Sequence, residues 1–126
     1  MILVDTSVWI DFVMGDPATA RLGAMLEATL VTLHPAVHGE LALGQRNPSR
    51  VRLLELLPAL AQARAATDAQ VLQLVTERNL FGSGIGWVDA HLLASVLLTR
   101  DKLWTRDRRL AAAARALGIA FDAVGH

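Results

Sequence analysis

The chain has 126 residues, no cysteine, and 12 Lys+Arg against 12 Asp+Glu, for a formal net charge of zero. The length predicts one domain over residues 1–126; hydrophobic residues at 53% exclude a disordered chain, and the missing cysteines exclude disulfides, thiolate metal sites and cysteine nucleophiles. The charge balance excludes binding of nucleic acid by bulk charge, yet the zero is a cancellation: residues 1–44 carry five acids against Arg21, residues 100–115 six bases against two acids.

Ile2-Leu3-Val4 is a short continuous apolar run, the pattern of a parallel strand buried on both faces. Asp5 interrupts it and no basic segment precedes it, so it does not read as a signal peptide. No apolar run approaches a membrane span, and a cytoplasmic location is expected. Asp5-Thr6-Ser7 supplies helix-capping types, Val8, Trp9, Phe12 and Val13 recur at helical spacing, and Gly15 ends that helix. Asp16-Pro17 opens a second helix with the stripe Leu22, Met25, Leu26. Leu30 to Leu33 reads as a strand. His34-Pro35 opens a helix carrying Val37, Glu40 and Leu41, closed near Gly44. Asn47-Pro48 caps the next, ended by Pro58, and 59–66 holds a short strand at most. Thr67 with Gln70 forms a capping box. A loop from Phe81 to Gly86 precedes a helix from Trp87 to Leu98. Leu103-Trp104-Thr105 is a strand, Asp107 caps a helix from Leu110 to Leu117, and Ile119-Ala120-Phe121 is a final strand. This alternation predicts an α/β fold: a small central parallel sheet with helices on both faces.

In such sheets ligands bind beyond the carboxyl ends of the strands. Asp5 follows the first strand, Glu40 lies in the helix after the second, Asp107 follows the strand at 103–105, and Asp89 opens the helix after the glycine loop. Four converging carboxylates repel one another unless a divalent cation neutralises them, and an oxygen-only set suits Mg²⁺ or Mn²⁺. Singly, Asp5, Asp89 and Asp107 each have an ordinary explanation as a helix-capping or dipole-matching acid. Arg106, Arg108 and Arg109 beside Asp107, and Arg46, Arg50 and Arg52 after the Glu40 helix, are candidate phosphate contacts. Taken singly, each reads first as part of a solvated helix face. Thr6 and Ser7 could hold a carboxylate or a phosphate through their hydroxyls, or simply cap. His34, His38 and His91 read as structural rather than as metal ligands, since no His-Glu-x-x-His order is present. The three tryptophans read as core or interface, with nothing in the sequence supporting base stacking by Trp87.

At these residues the chain resembles the PIN-domain ribonucleases, and within them the VapC toxins of type II toxin–antitoxin systems. The matching segments are Met1 to Asp11, His38 to Gly44, Gly86 to Ser95, and Leu103 to Leu110 with its Thr105-Arg106-Asp107 motif. They occur in order over nearly the whole chain. The resemblance implies a PIN domain and a metal-dependent endoribonuclease cleaving a structured cellular RNA such as tRNA or rRNA. Asp5, Glu40, Asp89 and Asp107 would be its catalytic and metal-binding acids, with Thr6, Ser7, Thr105, Arg106, Arg108 and Arg109 positioning the substrate. It also implies a VapB-type antitoxin partner, a homodimer and a higher assembly with the antitoxin. The apolar surplus at Leu22, Met25, Leu26 and Leu53 to Leu57 could feed such interfaces or the core. A metal-dependent nuclease acting on DNA and a non-catalytic PIN-like binding module are the alternatives. An aspartyl phosphatase would want an acid at the position of Ser7, and a phospho-receiver would want paired acids after the first strand.

Overall fold

The computed structural model describes residues 1–122. Strands β1 (Ile2–Val4), β2 (Val31–Leu33), β3 (Ala61–Gln62) and β4 (Lys102–Trp104) form one sheet in the order β3-β2-β1-β4, and every pairing is parallel. Both central strands bury successive residues: Leu3 and Val4 in β1, and Val31, Thr32 and Leu33 in β2. Because neighbouring side chains on a strand point to opposite faces, this burial requires cover on both sides of the sheet. That cover comes from α1 (Thr6–Val13), α2 (Arg21–Glu27), α3 (Pro35–Leu43), α4 (Pro48–Leu56), α5 (Asp68–Glu77), α6 (Trp87–Thr99) and α7 (Arg108–Ala116).

Local chemistry starts most of these helices as the sequence indicates. The His34 Nδ1 accepts from the Ala36 N–H at 3.0 Å, Asn47 accepts from Arg50 N–H at 2.9 Å, and Thr67 and Gln70 form the reciprocal capping box. Asp16 accepts from Ala18 N–H, but the segment it opens is a single 3₁₀ turn, Pro17–Thr19, before α2 begins. Gly15 (φ +80°) and Gly118 (φ +74°) occupy the left-handed region that lets the chain turn after α1 and α7. Val8 and Trp9 of α1, Leu22 and Met25 of α2, Leu92, Leu93 and Val96 of α6, and Leu110 of α7 join one core with the strands. Each large aliphatic side chain buried there contributes about 1.5–3 kcal/mol.

Several boundaries differ from the sequence reading: β2 starts at Val31 instead of Leu30, and α6 runs one residue further, to Thr99. β4 covers Lys102–Trp104 and leaves Thr105 just beyond the strand end. The last helix starts at Arg108, because Asp107 accepts from Leu110 N–H at 2.9 Å and so fixes the first turn. The final strand expected at 119–121 is reduced to one bridge, Leu103 with Ala120. Leu103 exchanges two backbone hydrogen bonds there, with Ile119 O at 2.8 Å and Phe121 N at 2.9 Å, too few residues to propagate a ladder.

Candidate active site

The carboxyl ends of β1 and β4 lie side by side, since Val4 pairs with Trp104 and the Asp5 N–H donates to the Trp104 carbonyl at 2.9 Å. Asp5 is therefore placed directly beside Thr105. Its side chain is buried at 7% exposure. Although Asp5 occupies the N-cap position of α1, its carboxylate caps no backbone N–H. Instead its Oδ2 accepts from Thr105 Oγ1 at 2.8 Å and from Ser7 Oγ at 2.9 Å.

A hydroxyl has one proton and two lone pairs. Thr105 and Ser7 each commit the proton to Asp5, so the 3.5 Å approach between the two hydroxyls is a contact and not a third bond. Their lone pairs take the next backbone amides: Asp107 N–H donates to Thr105 Oγ1 at 3.1 Å, and Arg106 N–H donates to Ser7 Oγ at 3.0 Å. The turn from β4 to α7 is thereby tied to the start of α1.

Asp89 stands in the first turn of α6, where its Oδ2 accepts from Gly86 N–H at 3.3 Å. Partial burial raises its pKa above the ordinary carboxylate range; the Gly86 N–H opposes this, while the negative charges of Asp5 and Asp107 add to it. Those couplings bring Asp5, Asp89 and Asp107 into one electrostatic cluster. Asp107 performs its capping duty with Oδ1. Each of the three keeps one carboxylate oxygen without a hydrogen bond among the described residues. Three free oxygens on a repelling set of hard donors fit a divalent cation of the Mg²⁺ type. As the side chains stand, though, no group of three or more His, Asp or Glu among the described residues is gathered closely enough to hold an ion.

Glu40 joins from α3. The sequence surrounds it with apolar residues, but Val37 and Leu41 face the core while Glu40 is exposed. Its Oε1 accepts from Thr6 Oγ1 at 3.0 Å, which ties α3 to the first residue of α1.

The arginines divide. Arg106 does not extend freely to solvent; its guanidinium meets Asp11 at 2.9 Å and Asp16 at 2.6 Å. The Ala18 N–H first and Arg106 second hold the Asp16 carboxyl below its usual range. This clamp was invisible in the sequence, because its members are 95 and 90 positions apart. Arg108 is exposed. Arg109 is exposed too and lies over the glycine loop, where a Cβ added at Gly84 would sit 2.7 Å from a guanidinium nitrogen. Arg46 donates to the Ala42 carbonyl. Arg50, read as a rim cation, is buried, with its guanidinium against Gly44.

An apolar groove of about 340 Å³ lies away from the carboxylates, lined by Trp9, Phe12, Leu26, Leu53, Leu56 and Leu57. Leu26 and Leu56 thus line its mouth, whereas Leu22, Met25, Leu53 and Leu57 are core.

Residues 2–116 match the PIN domain family. Ribonuclease VapC32 of Mycobacterium tuberculosis, in strains CDC 1551 / Oshkosh and ATCC 25618 / H37Rv, is 48% identical over 121 residues, covering 95% of this chain and 95% of that protein. Among solved structures, PAE2754 from Pyrobaculum aerophilum superposes with a TM-score of 0.67 at 16% identity, over 98% of this chain and 89% of the other. FitAcB from Neisseria gonorrhoeae gives 0.64 at 21% identity over 100% of both chains. FitAB bound to an IR36 DNA fragment gives 0.66 at 21% identity, over 98% and 95%. At those identities the structural likenesses speak to the fold.

Proposed function

The chain belongs to the PIN-domain family and within it to the VapC ribonucleases, and on that premise we propose that it is the toxin of a type II toxin–antitoxin pair, a Mg²⁺-dependent endoribonuclease acting on a structured RNA. The observation that carries the reading is Asp5 at the ends of β1 and β4, held by two hydroxyls instead of capping its helix and joined through Thr105 to Asp107, with Asp89 coupled to both charges. A capping role would have used the Asp5 oxygens on backbone amides.

Asp5, Asp89 and Asp107 would hold the divalent ion, which when bound would activate water and neutralise charge on the scissile phosphate. The Ser7 and Thr105 hydroxyls fix the orientation of Asp5. Glu40, exposed and oriented by Thr6, is available to take the proton of the attacking water. Arg108 and Arg109, on the first turn of α7, would meet phosphates flanking the acidic centre. Arg106 orients the turn that carries Asp107.

The antitoxin reading finds support in the apolar groove beside α1 and α4, which presents leucines at helical spacing to an amphipathic partner segment. A homodimer, a higher assembly with the antitoxin and a cytoplasmic location complete the proposal. No helix among the described residues is long and apolar enough to cross a membrane.

The test is cleavage of a structured RNA in Mg²⁺ by the wild type, Asp5→Ala and Asp89→Ala. Both variants should lose more activity than the roughly ten- to hundredfold typical of removing an outer partner of a metal site, and EDTA should stop the wild type. Equal activity in all three, or full activity in EDTA, defeats the proposal. Preference for a DNA of the same sequence would move the reading to a DNA nuclease.

A further inference from the structure

Trp9 and Trp104 are buried, as core tryptophans are, but Trp87 is 47% exposed and Phe81 is 69% exposed. The two flank a shallow pocket of about 210 Å³, floored by Val75, Leu80, Ile85 and Ala90. Exposing two large aromatic rings a few residues apart forfeits burial that would stabilise the fold, so it calls for an occupant.

The pocket adjoins the start of the helix that carries Asp89. Gly86 lines it and also donates its N–H to Asp89, while Trp87 is the first residue of the helix that carries Asp89. On the same loop, the Arg109 guanidinium rests over Gly84. One short loop thus joins an aromatic pocket, a cation and a catalytic acid. A nucleotide has the matching parts: a flat aromatic base, a phosphate and a scissile bond.

The indole is also held in place. His91, one turn along α6, meets Trp87 edge-to-face, with ring centroids 4.6 Å apart at 89°. Asp68 at the start of α5 fixes His91 by accepting from its Nε2 at 3.1 Å. A ring fixed before ligand arrives loses less entropy on stacking than a free one.

Resting on the ribonuclease reading above, we propose that Trp87 and Phe81 form a subsite that takes one unpaired base of the RNA next to the cleaved bond, by stacking, with Arg109 on its neighbouring phosphate. Stacking tolerates any base and favours single-stranded loops over paired stems.

Trp87 reports on its own pocket, because the other two tryptophans are buried. A short single-stranded oligoribonucleotide titrated in EDTA at low salt, where cleavage does not compete, should quench indole emission saturably. In Trp87→Phe the remaining emission should not respond. With a cleavable RNA and Mg²⁺, Trp87→Ala should raise KM about five- to 150-fold, the range expected for one lost base stack, with kcat within about twofold. Trp87→Phe should recover most of the loss. Absence of saturable quenching while the wild type still cleaves RNA overturns the subsite and leaves the ribonuclease reading standing. Saturable quenching by a protein that cleaves nothing supports the subsite and overturns the reaction. Emission that changes with protein concentration and not with oligonucleotide assigns the aromatic face to a second copy of the chain and also overturns the proposal. Trp87→Ala lowering kcat at unchanged KM makes the ring a structural support of Asp89 and does the same.

Discussion

The Asp5–Ser7–Thr105 arrangement can be taken apart one hydroxyl at a time. Thr105→Val keeps the shape of the side chain, so no cavity is made. It removes the 2.8 Å bond to Asp5 and the acceptor of the Asp107 N–H. A hydrogen bond to a charged group contributes about 1.5–3 kcal/mol. The amide left behind is exposed and water repairs it, so the expected cost is about 2 kcal/mol, a fall in Tm of roughly 8 °C for a chain of this size. Ser7→Ala removes the other donor to the same oxygen, at 2.9 Å, and should cost a similar amount. The double variant leaves a 93%-buried carboxylate, 7% exposed, with neither donor. It should therefore lose more than the two single losses together, by about 0.5–3 kcal/mol. Urea unfolding at neutral pH, with m unchanged across the four proteins, measures all three quantities. Because the turn carrying Asp107 depends on the same hydroxyls, cleavage should fall along with stability. A Thr105→Val protein within about 0.5 kcal/mol of wild type, or losses that simply add, would refute the idea that these hydroxyls hold Asp5 as a unit.

Three further outcomes follow from the charges. Asp89 has a raised pKa in the folded chain, so its contribution to stability is present at low pH and is lost as pH rises from the ordinary carboxylate range through the raised value. Metal-free Asp89→Asn should lack that decline and melt about 2–4 °C higher near neutral pH, a gain kept small by screening water; an unchanged profile counts against the cluster. His34 is lowered by burial first and by His91 second, and its Nδ1 must stay unprotonated to accept from Ala36. Stability should therefore fall as pH drops below the ordinary histidine value and through the lowered one. His34→Asn, which can still cap, should flatten that part of a Tm-against-pH curve. Replacing Asp11 and Asp16 together by Asn releases Arg106 from its clamp. If the freed guanidinium reaches a phosphate, the slope of log affinity for single-stranded RNA against log salt should steepen by about 0.7–1. An unchanged slope leaves Arg106 with only its part in orienting the turn.

The order of elements and most of their starts were legible because the signals are local. Asp16-Pro17, His34-Pro35, Asn47-Pro48 and Thr67 with Gln70 act through amides two or three residues away, and the structure uses all four. The apolar run at 2–4 likewise announced a strand buried on both faces, and the run at 30–33 a second strand, which forms at 31–33. The four acids could be named because each follows a strand or opens a helix in a pattern read along the chain. What a carboxylate does once placed was not legible. Asp5 and Asp107 have the same local signature before a helix, yet Asp107 caps and Asp5 does not. The difference comes from Thr105, 100 positions from Asp5, brought alongside by the parallel pairing of β1 with β4. The capture of Arg106 by Asp11 and Asp16 has the same origin, whereas the exposure of Trp87 beside the buried Trp9 and Trp104 and the burial of Arg50 are set by how the helices pack. The sequence by itself determined which chemistry the chain carries and where the elements begin, since capping and hydrophobic periodicity act within a few residues. Which charges meet, which are spent on one another and which ring stays exposed were decided only by the tertiary structure, because they depend on residues far apart in the chain that only the folded sheet and its helices bring together.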